Sequence, residues 1–316
     1  MLDAVWNRLT REAYVRASFF LPDETRRRIE RRARGREEVR NLRRADYVVV
    51  SYGKSGRTWL RVMLSRFYQQ RYGLPEQSLL GFDNLHRMNP AVPKVLFTHD
   101  NYIRDYTGQG ESKADYRGKK VILLVRHPAD TAVSQYFQWR YRMRPGKKAL
   151  NNYPPHGADL PIFDFVMHHE AGLRKIVVFL NEWANALPHL DDVLVVRYED
   201  MRAAPGAALR RILTYVGQEP TDAEISDAVA FASFDNMKKL ESQRVFWRSG
   251  SRLLPKNRAN PESYKVRRAK VGGYRDYFDD EQVRQIDGFI REHLAPAFAS
   301  YCEEGVCSDE GATAGR

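Results

Sequence analysis

Three groups of residues in this sequence have the types and spacing to act on an anionic group. Residues 54–58, Lys-Ser-Gly-Arg-Thr, lie in VVVSYGKSGRTWLRVML, between an apolar run and a helix-like pattern. A strand-to-helix turn there would aim free backbone N–H groups and the Lys54 charge at an anion. A nucleotide-triphosphate loop would need a glycine where Val48 stands, so the shorter cradle suits one phosphate or sulfate better than a triphosphate chain. The second group pairs Arg126 with Ser134, eight residues on, across Pro128 and Asp130, which suit a helix start. A guanidinium and a hydroxyl can hold a second, separate phosphate if the chain folds back around a ligand; a structural salt bridge is the other use of Arg126. The third is His99, whose imidazole, with an ordinary pKa of about 6.5, can take a proton from a hydroxyl near neutral pH. Asp100 beside it is the competing base.

These groups need a frame that brings them together. Four β-branched runs, Tyr47 to Val50, Val95 to Phe97, Val121 to Val125 and Val193 to Val196, are apolar without alternation, as strands buried on both faces are. Between them lie helical patterns, such as Leu60, Met63, Leu64, Phe67 and Tyr68. The expected fold class is α/β, a single domain with a central parallel sheet flanked by helices. Each run is followed by polar groups: Lys54; Thr98-His99-Asp100; Arg126-His127-Pro128; and Arg197-Tyr198-Glu199-Asp200. Open parallel sheets bind ligands beyond the carboxyl ends of their strands, so these groups should converge there. The expected divisions are a basic helical extension over 1–45, a main domain over 46–300 and a flexible tail over 301–316. Stretches 144–161 and 249–262 carry Pro, Gly and Asn without periodicity and could cover a site.

Lys and Arg number 52 against 40 acidic residues, a formal charge of +12 that favours polyanionic partners without choosing among nucleic acid, anionic membrane, acidic polysaccharide and a phosphate-rich cofactor. No apolar run is long enough to span a bilayer, and arginines interrupt the N-terminus, so the expected location is cytoplasmic. Arg26-Arg27-Arg28 and Arg31-Arg32 read as a solvated helix face, with peripheral contact of residues 1–45 on anionic membrane as the alternative. Cys302 and Cys307 could close a small disulfide or one end of a metal site; lacking partners for a zinc set, they read as free thiols, and no metal is expected.

The ordered set SYGKSGRTWL, VLFTHD, LLVRHPADTAVSQYFQW, VVRYEDM, FASFDNMKK and RRAKVGGYRDYF resembles the motif series of the sulfotransferase family over roughly residues 45 to 280. The resemblance implies a P-loop-like fold and 3′-phosphoadenosine 5′-phosphosulfate (PAPS) as donor, with 3′-phosphoadenosine 5′-phosphate (PAP) as product. It implies that Lys54, Ser55, Gly56, Arg57 and Thr58 hold the 5′-phosphosulfate, and that Arg126 and Ser134 hold the 3′-phosphate. Trp59 and Phe234 match positions that sandwich adenine, Tyr198 and Ser233 positions at its edge, and Arg267 and Arg268 the late basic motif that closes over the 3′-phosphate. His99 matches the catalytic base, and Lys54 would stabilise charge in transfer, with Ser134 holding Lys54 back until acceptor binds.

The match departs from the family pattern at Arg57, commonly threonine, at Phe97, where many members carry a lysine, and at Arg268-Ala269, where lysine-glycine is usual. Losing the lysine at 97 leaves Lys54 with more of the charge stabilisation. Tyr136, Phe137 and Trp139 lie where members often line the acceptor pocket. The acceptor is expected to be a hydroxyl, or an amine, of a small molecule, sugar or lipid; nucleic acid is not expected, and a homodimer is allowed. A nucleotide-dependent kinase and a non-catalytic polyanion binder are the rival readings.

Overall fold

The computed structural model describes residues 19–109, 112–247, 253–257 and 259–303. Its described α-helices are α1 (Asp23–Arg44), α2 (Arg57–Tyr72), α3 (Ile103–Thr107), α4 (Pro128–Tyr141), α5 (Pro145–Leu150), α6 (Ile162–Met167), α7 (Leu173–Ala186), α8 (Tyr198–Ala203), α9 (Pro205–Tyr215), α10 (Asp222–Phe231), α11 (Phe234–Ser242), α12 (Asp280–His293) and α13 (Ser300–Glu303). The strands are β1 (Tyr47–Val50), β2 (Val95–Thr98), β3 (Lys120–Val125) and β4 (Val193–Arg197), one for each apolar run. They form a four-stranded sheet in the order β2-β1-β3-β4, every pair parallel, with Val48 opposite Leu96 on one side and Val121 on the other.

The period of two along a strand explains why the runs do not alternate. Val48 and Val50 of β1, with Val121, Leu123 and Val125 of β3, face a core completed by Val39 and Leu42 of α1, Ala129 and Ala132 of α4, and Ile176, Leu180 and Trp183 of α7. Tyr47, Val49, Ile122 and Leu124 face the opposite core, filled by Leu60, Met63, Leu64 and Phe67 of α2, Ile212 of α9 and Ile225 of α10. Both faces are covered, so both residue sets must be apolar.

The arginine-rich helix α1 is seated on this body. Gly35 packs so closely that an added Cβ would fall 2.2 Å from the Tyr102 carbonyl oxygen, and Arg31 donates to the carbonyls of Asn101 and Leu150. Arg27, Arg28 and Arg32 remain exposed on its outer face. Residues 1–18 and 304–316, and with them Cys307, lie outside the described residues. Among those described, no helix is long and apolar enough to cross a membrane.

The strand order reverses between β1 and β3, because the chain leaves β1 for β2 on one side and then crosses to β3 on the other. The crevice beyond the carboxyl ends of those two strands is where such sheets admit ligands. The Lys54 loop follows β1, and Arg126 follows β3.

Candidate active site

The loop after β1 turns through two left-handed residues, Lys54 at φ 76° and Gly56 at φ 92°. For a lysine that conformation costs on the order of 1–3 kcal/mol, a strain the surrounding packing must hold. Gly56 is the N-cap of α2, and no side chain caps this helix. Its first N–H groups thus meet the crevice with the positive end of the helix dipole. Gly56 admits no substitute on spatial grounds either, since a Cβ would fall 2.6 Å from Cδ2 of Tyr198. Ser55 is buried behind the loop.

One cleft is lined by Lys54, Gly56, Arg57, Thr58, Trp59 and His99, and on its far walls by Arg126, Ser134, Tyr198, Phe234, Arg267 and Arg268. Of the residues singled out in the sequence, these come together at one site. Arg126 donates Nη1 to the Lys54 carbonyl oxygen at 3.2 Å and Nη2 to that of Lys270 at 3.2 Å, and its guanidinium lies 4.4 Å from the Tyr198 ring centre. Its buried Nε has no hydrogen-bond partner among the described residues. The Trp59 indole N–H donates to the Ala232 carbonyl oxygen at 2.9 Å, tying α2 to the segment that ends in Ser233 and Phe234. Ser233 is exposed as the N-cap of α11 and lies outside the cleft lining. Ser134 and Lys54 line the same cleft with no hydrogen bond between them.

Lys54 is ringed by like charge. Burial, then Arg142 and Arg126, bring its ammonium from 10.5 down to about 7, with Glu241 opposing. An anion entering here restores the proton, which makes the site a receptor for negative charge.

His99 is oriented by its own strand partner. Nδ1 lies 2.8 Å from the Ser51 carbonyl oxygen, which can only accept, so Nδ1 carries the proton and Nε2 the lone pair. Arg57 Nη2 donates to Nε2 at 2.6 Å. Burial first, then the charges of Arg57 and Lys147, hold the ring well below its ordinary pKa. Arg57 thus stands beside His99 where Phe97 cannot help, since the Phe97 ring is covered by the Arg61 guanidinium at 3.8 Å. Asp100 turns the other way: it pairs with Lys113 at 2.8 Å, accepts from the Tyr116 hydroxyl at 2.9 Å, and lies outside the cleft lining.

Two buried carboxylates that sequence reasoning did not single out as site residues fix the closing segment. Glu241 accepts from the backbone N–H of Lys265 at 2.8 Å and of Val266 at 2.9 Å, just before Arg267. Asp130 accepts from those of Gly272 and Tyr274, both at 2.9 Å, just after Arg268. Arg267 and Arg268 are thereby presented from a segment clamped at both ends. The Arg267 guanidinium rests 3.8 Å from the Phe137 ring centre and bonds the Tyr277 hydroxyl, whereas Arg268 is the more exposed and pairs with Asp276. Ala269, which follows Arg268, adopts φ 54°, the left-handed region. Ala269→Gly should therefore stabilise the fold by ~0.5–1 kcal/mol, the left-handed penalty less the chain entropy of glycine. A thermal melt should show a rise of about 1 °C, and an unchanged or lowered midpoint would speak against strain at this position.

The aromatic run of α4 is placed differently from the expectation. Tyr136 and Trp139 are buried in a small core with Phe165 and Ala171, and neither they nor Phe137 line the cleft. The helix turns Gln135, Gln138 and Arg142 to the cleft instead. The stretches read as covers do contribute walls, through Arg144, Lys147, Asn151 and Tyr153 from one and Lys256 from the other. Among the described residues no cluster of three or more His, Cys, Asp or Glu could hold a metal.

A model of the sulfotransferase domain matches residues 44–297. Cytosolic sulfotransferase 16 of Arabidopsis thaliana is 26% identical over 271 residues, covering 79% of this chain and 76% of the relative. Human sulfotransferase 6B1 is 25% identical over 276 residues, covering 83% and 82%. Among solved structures, mouse sulfotransferase SULT7A1 complexed with PAP superposes with a TM-score of 0.55 at 20% identity, covering 84% of this chain and 89% of that one. Retinol dehydratase in a complex with retinol and PAP superposes with a TM-score of 0.55 at 19% identity, covering 79% and 81%. The structural likenesses show the shared fold, and the domain match spans most of the chain: this protein belongs to the sulfotransferase family.

Proposed function

We propose that this protein transfers a sulfuryl group from PAPS to the hydroxyl, or amine, of an acceptor. The observation that carries the reading is Lys54, an ammonium depressed to about 7 among Arg142, Arg126 and Arg267 at an uncapped helix N-terminus. Such a constellation is relieved by a dense anion, and the donor supplies one together with a sulfuryl group on a phosphate leaving group.

The residues divide the task. Lys54 and the first turn of α2 receive the 5′-phosphosulfate, and Arg126, with its unpartnered Nε, receives the 3′-phosphate alongside Ser134 and Arg267 or Arg268. Trp59 and Phe234 flank the base, with Tyr198 at its edge. His99 presents a Nε2 lone pair, fixed by Ser51, to the acceptor O–H. For that, Arg57 must yield Nε2, and its guanidinium stays beside the reacting group as a second cation. The proton passes to Nε2 while the acceptor oxygen bonds sulfur and the bond from sulfur to the 5′-phosphate oxygen breaks. Preorganised cations and N–H groups then meet charge that develops on the leaving oxygen, as in other transfers of this kind.

A kinase would need carboxylates for Mg²⁺. Among the described residues Asp130 is the carboxylate lining the cleft, and both of its oxygens already hold backbone N–H groups. Calorimetry tests the donor: PAP should bind far more tightly than AMP or ADP, with no metal added. Arg126→Ala should weaken PAP about 10- to 150-fold, the worth of one charge-assisted contact, and leave AMP nearly unaffected. Tighter binding of ATP with Mg²⁺ than of PAP would replace this reading with the kinase.

A further inference from the structure

Resting on the sulfuryl-transfer reading, we infer that the acceptor carries an acidic group, carboxylate or phosphate, received by Lys147 and Lys175 in the arm of the cleft that α5 and α7 line. Both lysines line the cleft, with Tyr52, Asn151 and Tyr153 between them.

The arm is built around its cations. Lys147 sits on α5, exposed to the cleft, and its ammonium has no hydrogen bond or ion pair with a described residue. Lys175, on α7, donates to the Asn151 carbonyl oxygen and lies 4.6 Å from the Tyr153 ring centre, with no carboxylate in ion-pair range. The hydroxyls of Tyr52 and Tyr153 meet at 3.2 Å, so the floor between the lysines offers polar edges on aromatic faces. An apolar acceptor would leave these groups desolvated and unpaired.

The same cations are separate from those assigned to the donor. Lys54 feels Arg142, Arg126 and Arg267, whereas Lys147 feels Arg34 and Arg57, and Lys175 feels Arg31 and Arg104. Arg57, bonded to His99, is the member that faces the arm as well as the cradle loop. The carboxylates near the arm are Glu38, raised to about 7 by burial and by Asp100, Glu170, and Glu30, Asp105 and Glu182, which pair with Arg34, Arg31 and Arg104; none of them pairs with Lys147 or Lys175. Crowding by the cleft walls, which also dries Lys147 although its side chain opens to the cleft, and neighbouring cations lower both ammoniums, Lys175 to about 8, so an acidic ligand should be bound with proton uptake.

Matched pairs of phenols test this: 4-hydroxybenzoate and 4-hydroxyphenylacetate, each against its methyl ester. Binding is measured by calorimetry to the full chain with and without PAP, and transfer is followed from ³⁵S-labelled PAPS. The acids should bind about tenfold or more tightly than the esters, with correspondingly lower KM. Lys147→Gln and Lys175→Met, the latter keeping the apolar stem over Tyr153, should together bring acid and ester to within about twofold. PAP affinity should stay unchanged in both variants, which also certifies their folding. Affinity for the acids should decline as pH rises above about 8, where Lys175 loses its proton. Esters bound as well as acids, acids undetected at 10 mM (roughly the weak limit of calorimetry), or discrimination that survives both substitutions would overturn the inference. Failure of PAP itself to bind would instead overturn the donor reading, while acid binding to the free protein would still be read.

Discussion

His99→Asn should lower turnover by about 10²–10⁴, the usual contribution of a positioned general base, while PAP affinity changes little. The imidazole is fixed by the Ser51 carbonyl through Nδ1 and shows Nε2 to the cleft, so only the proton-accepting step is removed. Asp100→Asn should retain far more activity, because that carboxylate is committed to Lys113 and Tyr116 away from the cleft. The acid limb of kcat/KM reports the free protein, in which burial, Arg57 and Lys147 hold the ring well below 6.5. The ring is therefore neutral, and competent as a base, at pH 6 (about half a unit under its ordinary value). Activity should fall only at lower pH, and the residual activity of His99→Asn should lack that limb. An acid limb unchanged in His99→Asn, with Asp100→Asn as damaging, would move the base elsewhere.

Lys54→Met should cost about 10²–10³ in kcat, the scale of losing one preorganised donor to developing charge. It should also change how PAP binding depends on pH. In the free protein the Lys54 ammonium titrates at about 7, and the bound phosphate holds its proton to a higher pH. Binding above pH 7 thus takes up a proton, and PAP affinity falls as pH rises from about 7 until the raised pKa is reached. Below about pH 6 the phosphate itself protonates and affinity falls on that side too. Calorimetry in buffers of different ionisation enthalpy measures the uptake directly. In Lys54→Met the uptake at pH 8, roughly one unit above the free-protein value, should be reduced to what the other lysines of the cleft contribute. An undiminished uptake would mean that Lys54 is not the group that titrates against the donor.

How much of this was legible in the sequence follows from where each constraint is encoded. Strands buried on both faces must be apolar throughout, so Tyr47 to Val50 and its counterparts announced the sheet. Strand ends are legible as well, and the rule that ligands bind there brings Lys54, His99, Arg126 and Tyr198 together from the sequence alone, as they are in the cleft. Contacts between distant segments were not. Nothing near Glu241 in the sequence states that it will hold the N–H groups of Lys265 and Val266, or near Arg57 that its guanidinium will sit on His99. The aromatic run of α4 misled for a related reason: helical period decides which of its neighbours face the cleft, and Gln135, Gln138 and Arg142 do so while Tyr136 and Trp139 turn inward. Ala269 shows the reverse case, a departure visible in the sequence whose cost, a left-handed residue with a side chain, only the backbone reveals.

The identity of the transferred group can be read in a double-label screen. The protein is given ³⁵S-labelled PAPS and γ-³²P-labelled ATP with Mg²⁺ in parallel, against the same collection of acidic and neutral hydroxyl compounds. The expected products are ³⁵S-labelled sulfate esters, one PAP released for each, formed without metal and about 10²–10⁴ more slowly in His99→Asn. ³²P-labelled products from ATP with none from PAPS, or tight PAP binding with no transfer to any acceptor, would contradict sulfuryl transfer.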